Sequence, residues 1–447
     1  MQEEQQTHPK HPWPNYPWYV VGLLALAYAV SYLDRLIISL MVEPIKADLG
    51  LSDTQISLLI GLSFALFYTT CAIPFAWLAD RYNRRNIIVS GITIWCLMTA
   101  ACGFARSFLF LFIARMGVGL GEAALVPAGN SMIADYFRKD QLGRALGIFT
   151  SGIALGAGLA LVLGGQVLSW IGPTKVYEIS GLGSFAGWQV TFIVLGVVGL
   201  GVALLMMTVR EPARDHDRDG VAANPQATIK QTIVYFREQA NVYVPLFVGY
   251  AFAQTCFFAI TGWIPTLFIR VYEWDVARFG TAYGLLIGIC GVIAVIGSGW
   301  VSDTLFKRGI KDAHWRVIIA AFCVLPGYML LPFFKTGEST LALLAFANLG
   351  AFAAATAAPA AILLSTPNRF RAMATALFFF TINIIGMTSG PFFVAVLTEH
   401  VFKSPNSIAL SLAVVSGVSW VFAMSFIVYG MRAYRRRISE VLEENPA

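Results

Sequence analysis

Long apolar stretches alternate with short polar segments along almost the whole chain. About 20 residues of helix cross a bilayer core of about 30 Å, and each stretch approaches or exceeds that length. The pattern predicts an all-α integral membrane protein, because the short alternating strands of a membrane β-barrel do not occur in it. The predicted transmembrane helices cover residues 18–40, 55–78, 87–104, 108–131, 143–169, 188–209, 243–269, 278–301, 316–334, 340–365, 371–397 and 408–431.

A longer polar stretch separates these 12 transmembrane helices into two groups of six. Its central part, EPARDHDRDGVAANPQ, combines alternating charges with Pro and Gly, which is typical of a linker. The predicted parts are an N-terminal tail (1–17), a first six-helix bundle (18–209), a linker (210–242), a second six-helix bundle (243–431) and a C-terminal tail (432–447).

The distribution of basic residues predicts the orientation in the membrane. Lys and Arg concentrate in the linker, the C-terminal tail and every second loop, so the positive-inside rule places both termini in the cytoplasm. The basic segment MRAYRRR of the C-terminal tail is expected to touch anionic lipid headgroups.

Composition supports a membrane protein and excludes several other classes. The chain is 57% hydrophobic and only 13% charged, far from the usual soluble mixture. The net charge of +6 is divided among short clusters between apolar stretches, so we expect no nucleic-acid partner. The six cysteines show neither metal-ligand nor disulfide spacing, and we expect no metal and no cofactor.

An internal repeat links the two halves of the chain. The segment AWLADRYNRR (76–85) aligns with GWVSDTLFKR (299–308), half a chain length further on. A second pair, GRALGIF around Arg144 and FRAMATALF around Arg371, has nearly the same separation. Such duplication is typical of transporter folds.

At this point the sequence resembles the major facilitator superfamily, whose loop between helices 2 and 3 carries the pattern G-x-x-x-D-R-x-G-R-R. Ala76 and Asn83 replace the two glycines of that pattern here. Helix 4 contains a second motif of the family, R-x-x-x-G, at Arg115 and Gly119. The resemblance implies the major facilitator fold, two six-helix bundles around a central cavity, with transport by alternating access. The pattern residues that match are Asp80, Arg81, Arg84 and Arg85.

Within the superfamily, the segments SYLDR, LADRYNRR and RMGVGLGEA resemble the Spinster family. The chain then looks like a bacterial homologue of sphingosine-1-phosphate and lysophospholipid transporters. This resemblance implies movement of amphiphilic lipids coupled to protons. The alternative is a proton-coupled symporter of small organic anions such as sugar acids, because that group shares a similar Tyr-x-Asp-Arg in helix 1. Glu122, in the Gly-Glu-Ala of helix 4, favours the Spinster resemblance.

Four charged residues lie in predicted helices away from the helix ends: Asp34 and Arg35 in helix 1, Arg115 and Glu122 in helix 4. Each costs at least about 2.5–3.5 kcal/mol to insert at the bilayer centre, so each is a candidate for proton coupling. A rise of about 1.5 Å per residue places Asp34 and Arg115 at a similar depth, which predicts an ion pair between them in at least one conformation. Desolvation and a nearby arginine act in opposite directions on a carboxylate, so cavity opening can drive proton binding and release.

Further residues are assigned to the cavity and to a gate. The cytoplasmic gate is expected to consist of the repeated motif, with the carboxylate of Asp80 against the positive end of helix 11. The predicted gate residues are Asp80, Arg81, Arg84, Arg85, Arg144 and Asp303. The predicted substrate cavity contains Arg35, Arg115, Glu122, Tyr28, Tyr32, Tyr68, Tyr250, Gln254, Phe258, Thr261, Phe379 and Asn383.

Other classes of membrane protein fit less well. The sequence offers no nucleophile, base or metal set for a membrane enzyme and no phosphate-binding G-x-x-x-x-G-K-[ST] loop for an ATP-driven pump. We therefore expect a monomeric secondary active transporter in a plasma membrane, of the bacterial inner-membrane kind, driven by a proton gradient.

Overall fold

The computed structural model describes residues 15–137, 139–179, 181, 183–212 and 229–444. Most of the predicted N-terminal tail, the centre of the predicted linker (213–228) and the last three residues lie outside this range.

Within the described residues, twelve helices are long and apolar enough to cross a membrane, as predicted. We refer to them as spans 1 to 12. Their bounds differ from the predicted ones by a few residues, except that span 12 continues well beyond residue 431. The spans are Tyr16–Leu40, Asp53–Arg81, Arg84–Cys102, Phe108–Tyr136, Gln141–Ile171, Gly187–Met207, Ala240–Arg270, Val276–Lys307, Ala313–Phe333, Gly337–Ser365, Arg369–Val401 and Pro405–Val441.

Among the described residues, four spans are interrupted where they approach a neighbour or change helix type. Span 9 changes from an α-helix (Ala313–Phe322) to a 3₁₀-helix (Leu325–Phe333). Span 2 consists of two helices, Asp53–Ile60 and Leu62–Arg81, joined at Gly61. A side chain at Gly61 would place its Cβ 2.6 Å from the backbone oxygen of Met387 in span 11, so only glycine permits this contact. Span 4 is divided into Phe108–Glu122 and Leu125–Tyr136, and span 11 contains wider π-helical turns at Ile382–Met387 and Leu397–Val401.

Several elements lie outside the predicted spans. A short helix, Val42–Leu49, follows span 1, and an antiparallel hairpin of β1 (Val176–Ile179) and β2 (Gly183–Ala186) follows span 5. The predicted linker is not uniformly irregular, because it contains the helix Ile229–Glu238, here called the linker helix. The predicted C-terminal tail is largely helical, since the helix of span 12 runs from Ile408 to Glu444.

The two ends of the bundle differ in how closely the halves meet. An even number of spans places Tyr16 and Glu444 at the same end, which we call the terminal face, and we call the opposite end the distal face. One buried hydrophobic cluster joins the second half to the distal parts of the first half, including Ile37, Leu59 and Phe192. A second cluster, around Phe64 and Trp95, is confined mainly to the first half. The halves therefore share a core at the distal face.

Candidate functional site

Asp34 and Arg115 meet at the same depth, but not through the predicted side-chain ion pair. Both residues are 1% exposed. Nη1 of Arg115 donates to the backbone oxygen of Asp34 at 3.0 Å, while the carboxylate of Asp34 faces Thr99 of span 3. Neither carboxylate oxygen accepts a hydrogen bond within the described residues. The depth estimate was adequate, but depth does not determine the direction of a side chain around its helix.

Arg35 and Glu122 form the ion pair that the structure contains instead. Nε of Arg35 lies 2.6 Å from Oε2 of Glu122, whose side chain is completely buried. The guanidinium also lies over three aromatic rings, 5.0 Å from the centroid of Tyr32, 4.6 Å from Phe64 and 4.4 Å from Tyr68. Cation–π attraction and the ion pair thus hold Arg35 in an aromatic box.

The four charges are unequally matched, although their formal sum is zero. Glu122 has an arginine partner, whereas no arginine among the described residues donates to the carboxylate of Asp34. Nε and Nη2 of Arg115 are also buried without a hydrogen-bond acceptor among the described residues. An ionised group in such surroundings is costly, so this cluster favours a change of protonation or the arrival of a polar ligand.

Tyr28, another aromatic residue of the predicted cavity, is packed close to this box. Tyr28 is buried and stacks on Phe149 of span 5, with ring centroids 5.1 Å apart. Its ring also meets that of Tyr32 at 5.7 Å. Tyr32 and Phe258 each pack against the cores of both halves, so they lie where the halves meet.

The cavity residues predicted in the second half are more scattered. Tyr250 is buried inside that half and packs on Phe378, with ring centroids 5.0 Å apart. Gln254 is half-buried where span 7 contacts the π-helical segment of span 11, which contains the half-buried Asn383. The hydroxyl of Thr261 donates to its own helix.

Phe379 is half exposed, unlike its buried neighbour Phe378. The predicted cavity residues of the second half therefore do not form one cluster comparable to the box around Arg35.

Most of the predicted gate residues do not meet in this conformation. Asp80 and Asp303 are exposed, and Asp80 forms no hydrogen bond or ion pair within the described part of the chain. The guanidinium of Arg81 lies 4.1 Å from the ring centroid of Trp77, and that of Arg144 lies 5.7 Å from Trp18. These contacts are all inside the first half, so the terminal face is not closed by the predicted gate.

Arg84 and Arg85 contact acidic residues of the first half. Arg84 is buried, pairs with Asp135, and its Nε lies 2.7 Å from Oε1 of Glu211. The backbone N–H of Arg85 donates to the other oxygen of Glu211 at 3.0 Å. This network connects the segment after span 6 to the start of span 3 and to the end of span 4. The sequence analysis missed Asp135 and Glu211, although acidic residues at helix ends close to a basic motif were a usable signal.

A comparable network in the second half has one carboxylate between two arginines, whereas the network of the first half has one arginine between two carboxylates. Asp312, just before span 9, accepts from Nε of Arg316 at 2.9 Å and pairs with Arg435 at the end of span 12. Burial raises the pKa of Asp312, but the hydrogen bonds from Arg435 and Arg316 outweigh it and hold that pKa below its usual range.

The distal face carries a network of ions that joins the two halves and that the sequence analysis did not find. Arg270 at the end of span 7 donates to Glu43 at 2.6 Å and to Asp53 at 3.2 Å. Glu399 at the end of span 11 accepts from the backbone N–H and the hydroxyl of Thr54, at 3.0 and 2.7 Å. We call these five residues the distal latch.

Spans 5 and 8 also cross closely towards the distal face. A Cβ on Gly158 would lie 2.8 Å from the backbone oxygen of Gly284, and one on Gly280 would lie 2.3 Å from that of Leu161. Backbones therefore touch without intervening side chains, as in other small-residue helix contacts.

The described residues offer no group of three or more His, Cys, Asp or Glu side chains that could hold a metal ion. The chemistry available at the centre of the first half is therefore that of carboxylates, guanidinium groups and aromatic rings.

Comparisons with known proteins agree with this architecture. The family model of the Major Facilitator Superfamily matches residues 24–391. An MFS-type efflux pump of Mycolicibacterium smegmatis is 28% identical over 96% of both chains. A probable L-galactonate transporter of Escherichia coli is 24% identical over 91% of this chain and 87% of its own.

A solved structure extends the similarity. The crystal structure of a bacterial homolog to the human lysosomal transporter Spinster, in an inward-facing and unoccupied conformation, superposes with a TM-score of 0.77. It is 25% identical and covers 97% of this chain and 100% of that chain. Together with the twelve spans, these matches show that the chain is a multi-pass membrane transporter, not an enzyme, and that it belongs to the Major Facilitator Superfamily.

Proposed function

We propose that this protein is a proton-coupled secondary transporter that moves amphiphilic lipids of the lysophospholipid or sphingolipid phosphate type by alternating access. The observation that carries the proposal is the charge cluster of the first half, in which the buried carboxylate of Asp34 accepts no hydrogen bond from the described residues and Arg35 lies in an aromatic box. Its substrate part rests on the Spinster resemblance of the sequence, which implies amphiphilic lipids, and the match to the bacterial Spinster homolog supports that resemblance.

The contacts between the halves support alternating access. The distal latch and the close glycine contact between spans 5 and 8 close one face. Asp80, Arg144 and Asp303 remain exposed at the other face. With both termini in the cytoplasm of a bacterial inner membrane, as the basic loops favour, this conformation is open to the cytoplasm. In the opposite conformation the predicted gate residues come together and the distal latch separates.

Proton coupling is proposed for the cluster of Asp34, Arg35, Arg115 and Glu122. A carboxylate that is buried without a donor is stabilised by protonation, because the charge then disappears. When the cavity changes shape, Asp34 gains water or an arginine donor and releases the proton. The charges of Arg35 and Arg115 act electrostatically on both carboxylates, so we treat the cluster as one coupled titrating unit.

The substrate is proposed to place its anionic headgroup near Arg35 and Arg115. A guanidinium suits phosphate because it donates parallel hydrogen bonds, and Arg115 has two buried nitrogens without acceptors among the described residues. The aromatic residues Tyr32, Tyr68 and Phe258 then contact the apolar chain beside the headgroup. The other predicted cavity residues, Tyr28, Tyr250, Gln254, Thr261, Phe379 and Asn383, complete or support this surface.

A second candidate is a proton-coupled symporter of sugar acids or similar small organic anions. The similarity to the probable L-galactonate transporter favours it, and the same arginines would bind a carboxylate. The two candidates differ in the aromatic surface, because a sugar acid needs hydroxyl partners where a lipid chain needs apolar contact.

The test is transport in proteoliposomes made with purified protein. Labelled lysophosphatidylcholine, sphingosine 1-phosphate and L-galactonate are compared with and without an imposed pH gradient. We expect the gradient to accelerate movement of the lipids and not of the sugar acid, and Asp34→Asn to abolish the acceleration. Glu338→Gln, which alters an exposed carboxylate on the distal face, is the control and should transport normally.

The outcomes separate the parts of the proposal. Gradient-driven uptake of L-galactonate alone would replace the lipid by the anion as substrate. Lipid transport that responds to the pH gradient equally in wild type and Asp34→Asn would remove Asp34 from proton coupling.

A further inference from the structure

A polar pocket lies at the terminal face, away from the charge cluster of the transport site. The linker helix, the start of span 7 and the end of span 12 enclose about 210 Å³. The charged residues in its wall are Glu238, Arg436, Arg437 and Glu440, and Asn241 lies in the first turn of span 7.

Several features of the pocket attract an anion. Span 7 is a 31-residue helix whose N-cap, Gln239, makes no side-chain capping hydrogen bond, so this side chain occupies none of the N–H groups at the positive end of the helix. The side chain of Arg437 is nine-tenths buried, yet its Nε has no acceptor among the described residues. Arg436 and Arg437 share one partner, Glu440, at 2.9 and 3.2 Å.

The same pocket also offers a place for a cation. Glu440 already accepts from two arginines, but Glu238 makes no ion pair within the described part of the chain. Two guanidinium groups and a separate carboxylate in one pocket suit a ligand that carries a phosphate and an ammonium group together.

The surface around the pocket places it at the edge of a bilayer. Phe422, Tyr429 and Arg436 follow at seven-residue intervals, so they lie on one side of span 12 about 10 Å apart along its axis. Phe422 and Tyr429 are exposed, and the Arg436 side chain is 86% exposed. An apolar strip that ends in arginine is typical of a helix leaving the hydrocarbon layer.

The position of the linker helix also places the pocket at the edge of the bilayer. It is joined to span 7 through the single residue Gln239 and exposes two apolar side chains, Ile233 and Val234. A helix attached so directly to a membrane span and carrying exposed apolar residues beside basic ones belongs at the headgroup layer.

We propose that this pocket binds the headgroup of a bilayer phospholipid with a primary ammonium group, of the phosphatidylethanolamine type. The phosphate faces Arg436, Arg437 and the start of span 7, the ammonium donates to Glu238, and the acyl chains run along Phe422 and Tyr429. This lipid is a resident of the protein surface and not the transported substrate.

Native mass spectrometry of the full-length protein in detergent tests the site. Dioleoyl phosphatidylethanolamine, phosphatidylcholine and phosphatidylglycerol are each added at equal concentration, and the bound fraction is measured. We expect wild type to bind phosphatidylethanolamine about tenfold more tightly than phosphatidylcholine, whose quaternary ammonium cannot donate a hydrogen bond. Sodium phosphate, added as competitor, should displace little of the lipid.

Three variants identify the residues responsible. Arg436→Gln should lower affinity for all three lipids about tenfold, whereas Glu238→Gln should remove the preference for phosphatidylethanolamine and retain binding of phosphatidylglycerol. Arg432→Gln is the control, because Arg432 is exposed on the same helix but does not line the pocket. All three positions tolerate a polar substitution without loss of core packing.

Three results would overturn the proposal. Equal binding of the three lipids by wild type would exclude recognition of the ammonium group. An equal loss with Arg432→Gln would show only general attraction of lipid to a basic surface. Displacement of the lipid by millimolar phosphate would identify a site for the free anion instead.

Discussion

Replacing Arg270 by Gln should shift the protein away from the distal-closed conformation. Its side chain is 10% exposed and donates to Glu43, to Asp53 and to the backbone oxygen of Pro405. In the first half, Glu43 and Asp53 precede or begin span 2, whereas Arg270 ends span 7 of the second half. The substitution therefore removes the contacts with Glu43 and Asp53, which exist only while the distal face is closed. The contact with Pro405 lies within the second half and does not depend on closure.

The size of the shift follows from the exposure of the two acids. Glu43 is 40% exposed, so water replaces most of the hydrogen bonds that its carboxylate loses, as at other surface ion pairs. Asp53 is 6% exposed, but Lys46 still pairs with it after the substitution. Removing charge-assisted hydrogen bonds in this setting costs about 2 kcal/mol, or a factor of about 30 in the conformational equilibrium. A distal-open population of about 1% would then rise to about a quarter.

Spin labels on the distal face measure this shift. Cysteines replace the exposed residues Leu109 in the first half and Lys335 in the second, after the accessible native cysteines are changed to serine. Pulsed electron resonance distances should show one dominant short component in wild type and a second, longer component in Arg270→Gln.

A neighbouring arginine supplies the control. Arg278→Gln also removes an ion pair at the distal face, but its partner Glu338 is in the same half and both are more than half exposed. Its distance distribution should match that of wild type. An unchanged distribution in Arg270→Gln, or the same change in both variants, would refute the assignment of the distal latch as the element that holds this face closed.

Two further predictions use the same protein. Gly158→Ala should favour the distal-open conformation, seen as the longer distance, by about 1–3 kcal/mol, because its Cβ meets the backbone of span 8. Gly147→Ala should not, because its Cβ meets no other part of the described chain within 4 Å. Asp312→Asn should lower the unfolding temperature equally at pH 7 and pH 5, because the ion pairs with Arg316 and Arg435 are lost only as pH falls through a pKa that lies below the usual range of an aspartate. A cost that disappears at pH 5 would contradict the depressed pKa.

The membrane spans could be predicted from sequence because the signal is local. A bilayer demands about 20 apolar residues for each helix, whatever its neighbours are. The fold class followed from the number of such stretches and from the motif around Asp80. The charged residues of spans 1 and 4 were also visible, since a charge in an apolar stretch is conspicuous without any knowledge of packing.

The elements outside the spans were harder to predict. The linker helix is too short and too polar on average to resemble a span, and its stability depends on packing, including the stacking of Tyr235 on Phe370. The helical continuation of span 12 into the basic segment was missed because the prediction followed hydrophobicity. A helix can continue beyond the apolar layer of the membrane, where its residues are polar.

The sequence by itself determined how many times the chain crosses the membrane and which charges lie inside it, because both depend on the composition of single segments. Only the tertiary structure decided that Glu122 pairs with Arg35 while Arg115 meets the backbone of Asp34, since the rotation of each helix is set by packing. The same holds for the distal latch. Arg270 and Asp53 look like ordinary loop charges in sequence, and they become partners only because the two halves fold against each other.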